Sequence, residues 1–221
     1  AGDRESAAKD FESALAADPG HLMARERLGD ARRDLGQNDQ AAAQYEALVR
    51  ADPYTPSSWR KLGLVQQQLG KLPEAAESFG RAVKLSPNDW ESRMNLGLTK
   101  LLQGKPRDAE ADLRQATSNP SAKAEAWTNY GVVLDLNGNK PDAELAYRKA
   151  LDLKPNDPTA LLNLAKGQLS KDKPTEAVAL VERAIKAEDS RDARKLFGDA
   201  LKAQGKTAEA QEQYKRADAM K

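Results

Sequence analysis

Few side chains in this sequence are of kinds that make or break bonds. There is no cysteine and one histidine, His21, which removes thiolate nucleophiles, disulfides, CxxC redox pairs and the common zinc constellations. His21 follows Pro19 in a turn-like stretch with no base or second ligand around it, so a solvated turn residue is expected. Asp135, Asn137 and Asn139 alternate as the start of a calcium loop does, but the glycine falls at the wrong place for such a loop. A polar corner between two helices accounts for them. No GxGxxG and no GK[ST] phosphate loop occurs. The expectation is a chain that is not an enzyme and takes no metal and no cofactor. Recognition chemistry remains. Asparagine recurs as Asn95, Asn129 and Asn163 at intervals of 34 residues, and each amide carries both a donor and an acceptor. A row of such amides is able to grip the backbone of an extended peptide whatever its sequence, each net hydrogen bond contributing about 0.5–1.5 kcal/mol.

Composition says what kind of scaffold must position that row. At 221 residues the chain exceeds the usual single-core size, so two domains or an extended architecture is required. Aromatic residues make up 5% and charged residues 31%, the balance of an all-helical chain. Thirty-five basic residues against thirty-four acidic ones leave a net charge of +1. That is too even for a phosphate-backbone footprint, and a nucleic-acid partner is not expected. No run of about 18 apolar residues and no signal-like opening segment occurs, so direct membrane insertion is not expected either. Lack of cysteine fits a periplasmic and a cytoplasmic chain equally.

A repeat of 34 residues organises the sequence. Gly29, Gly63, Gly97 and Gly131 keep this interval, as do Gly36, Gly70, Gly104 and Gly138. So do Ala7, Ala41, Ala75, Ala109, Ala143 and Ala177, and the column Phe11, Tyr45, Phe79, Leu113, Tyr147 and Val181. After Ala177 the interval shortens by one, the missing residue falling near Glu188 to Ser190. The units are a half repeat at 1–21, full repeats at 22–55, 56–89, 90–123, 124–157 and 158–190, and a last one at 191–221, forming one domain over 1–221. Each is predicted to be two helices, such as Ser57 to Leu69 and Leu72 to Leu85. The first ends at a glycine suited to a C-terminal cap, and the second often starts with a first-turn proline, as at Pro73, Pro106, Pro141 and Pro174. Glycine inside a helix costs about 1 kcal/mol against alanine. Close approach of the first-helix glycines to the small alanines of the second helix is the expected reason for them.

Trp59, Leu62, Gly63, Gly70, Ala75, Phe79, Ala82 and Pro87 match the signature of the tetratricopeptide-repeat family, and the sequence from Ala126 to Asp157 matches it again. The chain resembles that family over essentially its whole length, with the look of bacterial examples. It departs where Arg32, Gln66, Lys100, Leu134, Gln168 and Leu201 replace the family's tyrosine, and where Ala165 and Asp172 replace the sixth unit's glycines. The resemblance implies an all-α, right-handed α-solenoid of about 6.5 helix-turn-helix repeats. It also implies that the first-helix face opposite the Trp/Leu/Gly columns lines a concave groove that captures peptides.

The groove places read along the chain as charged in repeats two and seven and apolar in the middle. The residues expected to bind a partner are Arg60, Lys61, Leu64, Met94, Asn95, Leu98, Leu101, Thr128, Asn129, Val132, Leu136, Leu162, Asn163 and Lys166. Exposed apolar side chains in such a row usually mark an interaction site. The carboxylate clamp of some tetratricopeptide co-chaperones does not fit, since Leu64 stands where asparagine is needed and Glu125 and Asn129 where the basic pair is needed. A protein or peptide partner is therefore expected without that motif. Asp218 and Gln211 are polar at the two sites of the last unit that should pack on a following repeat, so the array is expected to stop there. Ala7, Phe11 and Ala14 lack a preceding helix, an edge expected to be covered by upstream sequence or by a homodimer. The alternatives to a peptide-binding scaffold are an assembly protein that self-associates through this N-terminal edge, and a targeting module of a larger enzyme or of a pilus or outer-membrane secretion machine.

Overall fold

A computed structural model describes residues 2–220; Ala1 and Lys221, the ends of the first and last predicted units, lie outside the described residues. Among the described residues there are thirteen α-helices and no strand. The chain divides into two compact units, one ending at Asn119 and the other beginning at Pro120.

The first unit holds α1 (Gly2–Ala17), α2 (Leu22–Asp34), α3 (Asn38–Ala51), α4 (Pro56–Gln68), α5 (Leu72–Leu85), α6 (Trp90–Leu102) and α7 (Pro106–Thr117). The second holds α8 (Ala124–Leu136), α9 (Lys140–Leu153), α10 (Pro158–Ser170), α11 (Pro174–Ala187), α12 (Arg191–Ala203) and α13 (Thr207–Ala219). Neighbours in sequence pack as hairpins: α2 with α3, α4 with α5, α6 with α7, and so on to α12 with α13. The connection between α11 and α12 is Glu188 to Ser190, the place where the sequence loses one residue from its period.

One cap closes every first helix. At Gly70 the backbone φ is +73°, the left-handed region that glycine reaches without a β-carbon clash. The Gly70 amide then donates to Gln67 and the Lys71 amide to Gln66, satisfying carbonyls that the helix end would orphan, as a Schellman cap does. The pattern recurs in the sixth unit with Asp172 in the glycine's place at φ +56°, its own amide donating to Leu169 and that of Lys173 to Gln168. Aspartate tolerates this conformation better than most residues do. His21 does more than occupy a turn, since its Nδ1 accepts from the Ala24 amide and caps α2. Asn139 likewise caps α9 by accepting from Asp142.

The core of each hairpin is a column of side chains from the second helix. Tyr45, Phe79, Leu113, Tyr147 and Val181 are essentially inaccessible, and Tyr214 is partly buried. They explain the first-helix glycines, and here the alanine expectation is corrected. A β-carbon on Gly29 would lie 2.6 Å from Tyr45 Cε1, one on Gly63 2.8 Å from Phe79 Cε1, and one on Gly131 2.5 Å from Tyr147 Cε1. At Gly97 the clash is with Leu113 Cγ at 2.7 Å, and the Ala109 carbonyl comes only third. The column residue, not the alanine beside it, presses on the glycine. The sixth unit follows the same rule in reverse. Ala165 replaces glycine and the smaller Val181 replaces the ring, and both are fully buried in one cluster.

Candidate functional site

In the first unit, Arg60 and Lys61 on α4 are engaged within the chain. Lys61 Nζ donates to Glu26 and to Asp30, each at 2.7 Å, and Arg60 pairs with Asp89 at 2.9 Å and Glu91 at 3.0 Å. Leu64 packs against the Phe79 cluster. Met94 and Asn95 on α6 are buried, Leu98 and Leu101 are partly buried, and Leu102 is 54% exposed. The Gln67 amide donates to Thr99 Oγ1, which in turn donates to the Asn95 carbonyl.

In the second unit the same face carries fewer internal bonds. Thr128 is buried and its hydroxyl has no hydrogen-bond partner among the described residues. Asn129 and Val132 on α8 and Leu162 and Asn163 on α10 are partly buried, while Leu136 is 62% exposed. No hydrogen bond to the Asn129 or Asn163 amide occurs among the described residues, and Lys166 is exposed without an ion pair there.

A second periodicity becomes visible only in three dimensions. Tyr45, Phe79, Leu113 and Tyr214 each stand fifteen positions after a groove residue that matches them chemically, whereas Val181 stands fifteen after Lys166. Tyr45 donates its hydroxyl to Asp30 at 2.7 Å, and Tyr214 donates to Asp199 at 2.8 Å. Where the column is apolar at Phe79 and Leu113, the groove residues are Leu64 and Leu98. Burial and the hydrogen bond to Asp199 raise the Tyr214 hydroxyl to about 12, and deeper burial with the Asp30 bond raises Tyr45 further. Both phenols are therefore fixed donors.

Tyr147 breaks the match. Its groove residue is Val132, which packs against the cluster containing the ring, and its hydroxyl makes no hydrogen bond among the described residues. Burial, and then the charge of Asp135, push its pKa up, so it too is held as a protonated donor. The ring lines a cavity of about 140 Å³ between α8, α9 and α10, with Asp135, Lys140, Ala143, Glu144, Asn163, Leu164, Lys166, Gly167, Ser170 and Lys171. Glu144 is already engaged with Lys171, Arg148 and the Gln168 amide, and its pKa is lowered chiefly by the Lys171 hydrogen bond. Tyr147 and Gly167 escape a reading of exposed groove places because neither occupies one; the broken Asp/Tyr match was the available signal. In the first unit a recess lined by Pro53, Tyr54, Trp59, Arg81, Lys84 and Leu85 lies at the α4–α5 hairpin.

Among the described residues no group of acidic, histidine or cysteine side chains is arranged to hold a metal ion, and no helix is long and apolar enough to cross a membrane.

Helical hairpins with a shared glycine seam, stacked at a 34-residue period, define a tetratricopeptide-repeat protein. Over residues 1–221 the sequence matches the family described as the Cilia and flagella-associated protein 70 C-terminal domain; the chain belongs to that tetratricopeptide family. No curated protein matches the sequence. Solved structures do. PilW, a widely conserved type IV pilus biogenesis factor, is similar at a TM-score of 0.79 with 22% identity, over 90% of this chain and 93% of that one. A tetratricopeptide repeat protein from Parabacteroides merdae is similar at 0.76 with 19% identity, over 99% and 87%. YrrB, a tetratricopeptide protein with an unusual peptide-binding site, is similar at 0.69 with 18% identity, over 90% and 99%. At these identities the likeness establishes the fold, and the fold is that of protein-interaction scaffolds.

Proposed function

We propose that this chain is a non-catalytic adaptor that captures an extended segment of a partner protein on its first-helix faces, the α8 and α10 face of the second unit being the principal contact. The observation that carries the proposal is the pair Asn129 and Asn163, whose amides are unengaged among the described residues beside Val132, Leu162 and the exposed Leu136. Amides grip backbone regardless of sequence, and apolar side chains add anchors. On the α4 and α6 face of the first unit, Leu98, Leu101 and the ion-paired Arg60 and Lys61 are proposed as secondary contacts, with Leu64, Met94 and Asn95 beneath them; Thr128 plays that supporting part under α8. YrrB's peptide-binding site and PilW's place in pilus biogenesis support a peptide ligand and, more loosely, a role in assembling a surface structure.

The test is an affinity series against a retained partner peptide. Asn129→Ala is expected to weaken binding about two- to tenfold, the worth of one hydrogen bond, and Leu162→Asp to abolish it by burying an unpaired charge. Unchanged affinity in both variants, and also in Leu98→Asp and Leu101→Asp, overturns the proposal.

A further inference from the structure

We propose that the cavity between α8, α9 and α10 is a subsite for one Asp or Glu side chain of the bound segment, an inference that rests on the groove reading above. The first unit contains the arrangement that such a ligand would complete. There the Asp30 carboxylate accepts from Tyr45 Oη at 2.7 Å through one oxygen and from Lys61 Nζ at 2.7 Å through the other. Three periods later the corresponding residues are Val132, Tyr147 and Asn163. The tyrosine donor is kept, the lysine donor is replaced by an amide donor, and the carboxylate between them is gone. At the other column tyrosine of the second unit, Tyr214, the carboxylate is present as Asp199.

The space for an incoming group is also provided. Gly167 lies inside α10, where glycine costs about 1 kcal/mol against alanine, yet no packing demands it: an added β-carbon would meet nothing within 4 Å. Other units have Ala31, Val65, Thr99, Val133 and Ala200 at this place, and the last four of these are buried. With valine in place of the carboxylate on α8 and no side chain at Gly167 on α10, a cavity of about 140 Å³ lies against Tyr147, ample for a carboxylate on a short stem.

Electrostatics select the charge. Lys171 is held by Glu144, but Lys140 and Lys166 make no ion pair among the described residues, and they line the cavity together with Asp135, which makes none either. Two free cations against one anion leave the rim positive. The incoming carboxylate accepts from Tyr147 Oη and the Asn163 amide at the floor and is balanced by Lys166 at the rim. Charge-assisted bonds of this kind are about twice as strong as neutral ones.

The full-length chain is titrated by fluorescence anisotropy with pools of N-acetylated, C-amidated, labelled peptides about nine residues long. The central residue is fixed as Asp, Glu, Asn, Gln or Leu, and the flanks are equal mixtures of Ala, Leu and Ser. The Asp or Glu pool is expected to bind about tenfold tighter than its amide counterpart. Tyr147→Phe is expected to remove most of that preference while leaving the Leu pool, which accepts no hydrogen bond there, unchanged. Val132→Asp restores the internal carboxylate, so it is expected to abolish the preference and to raise the thermal midpoint without ligand. Equal binding of acid and amide pools, a preference that survives Tyr147→Phe, or a winning Leu pool overturns the subsite and leaves the groove standing. Failure of every pool to bind overturns both.

Discussion

Phe79→Ala is expected to destabilise the first unit by about 3–5 kcal/mol, the cost of emptying a buried aromatic site. Phe79 is fully inaccessible, and it packs with Ala75 and Leu96 under Leu64, Ala76 and Val83. Residues of three helices, α4, α5 and α6, thus close on one ring. Each hairpin depends on its neighbour to bury its face, so the loss spreads to both sides of α5. A urea titration followed by circular dichroism should show unfolding of the first unit shifted to much lower denaturant. A midpoint shift worth less than about 1 kcal/mol would mean that the column is not the core that its burial implies.

Gly63→Ala is the second large effect, and its sign depends on the partner. Alanine gains about 1 kcal/mol in helix propensity over glycine, which alone predicts stabilisation. Its β-carbon, however, would stand 2.8, 2.9 and 3.0 Å from three atoms of the Phe79 ring, and overpacking of this kind costs about 1–3 kcal/mol. The ring is wedged among three helices and cannot retreat. Net destabilisation is expected in the parent chain. In a Phe79→Val background the same change should become neutral or favourable, because the pair then reproduces Ala165 against Val181, which the sixth unit already packs without exposure. A double-mutant cycle measures the reversal. Additive effects would contradict the seam.

The helices were legible because each signal had a local cause. The 34-residue period, the first-turn prolines and the terminal glycines fixed where helices begin and end to within a residue or two: Leu72 to Leu85 is α5, and Ser57 to Leu69 is α4 shifted by one. The reason for Gly29, Gly63, Gly97 and Gly131 was not legible. Spacing shows that a glycine and an alanine recur together, but which neighbour touches the glycine depends on the reach of a side chain one helix away, and a tyrosine reaches farther than an alanine.

At the candidate site, direction was legible and depth was not. A step of about 100° per residue places Asn95 and Asn129 on one helix face, yet Asn95 is buried and Asn129 only partly so. Asn95 sinks into the seam between helices, whereas the long Lys61 reaches Glu26 and Asp30. Net charge by column could not show that Arg60 and Lys61 spend their charges inside the chain. The Tyr147 cavity was hidden for a related reason: its signal is a mismatch between two positions fifteen apart, which has meaning only once Tyr45 and Asp30 are seen to touch.

Capture of a segment by the first-helix face is the central claim, and backbone amide shift mapping tests it most directly. The isotope-labelled chain is titrated with a peptide pool and the perturbed amides are assigned. Shifts concentrated between Thr128 and Leu136 and between Leu162 and Lys166 are the predicted result. Shifts confined to the hairpin around Trp59 and Leu85, or none at concentrations where the pool saturates, would contradict it.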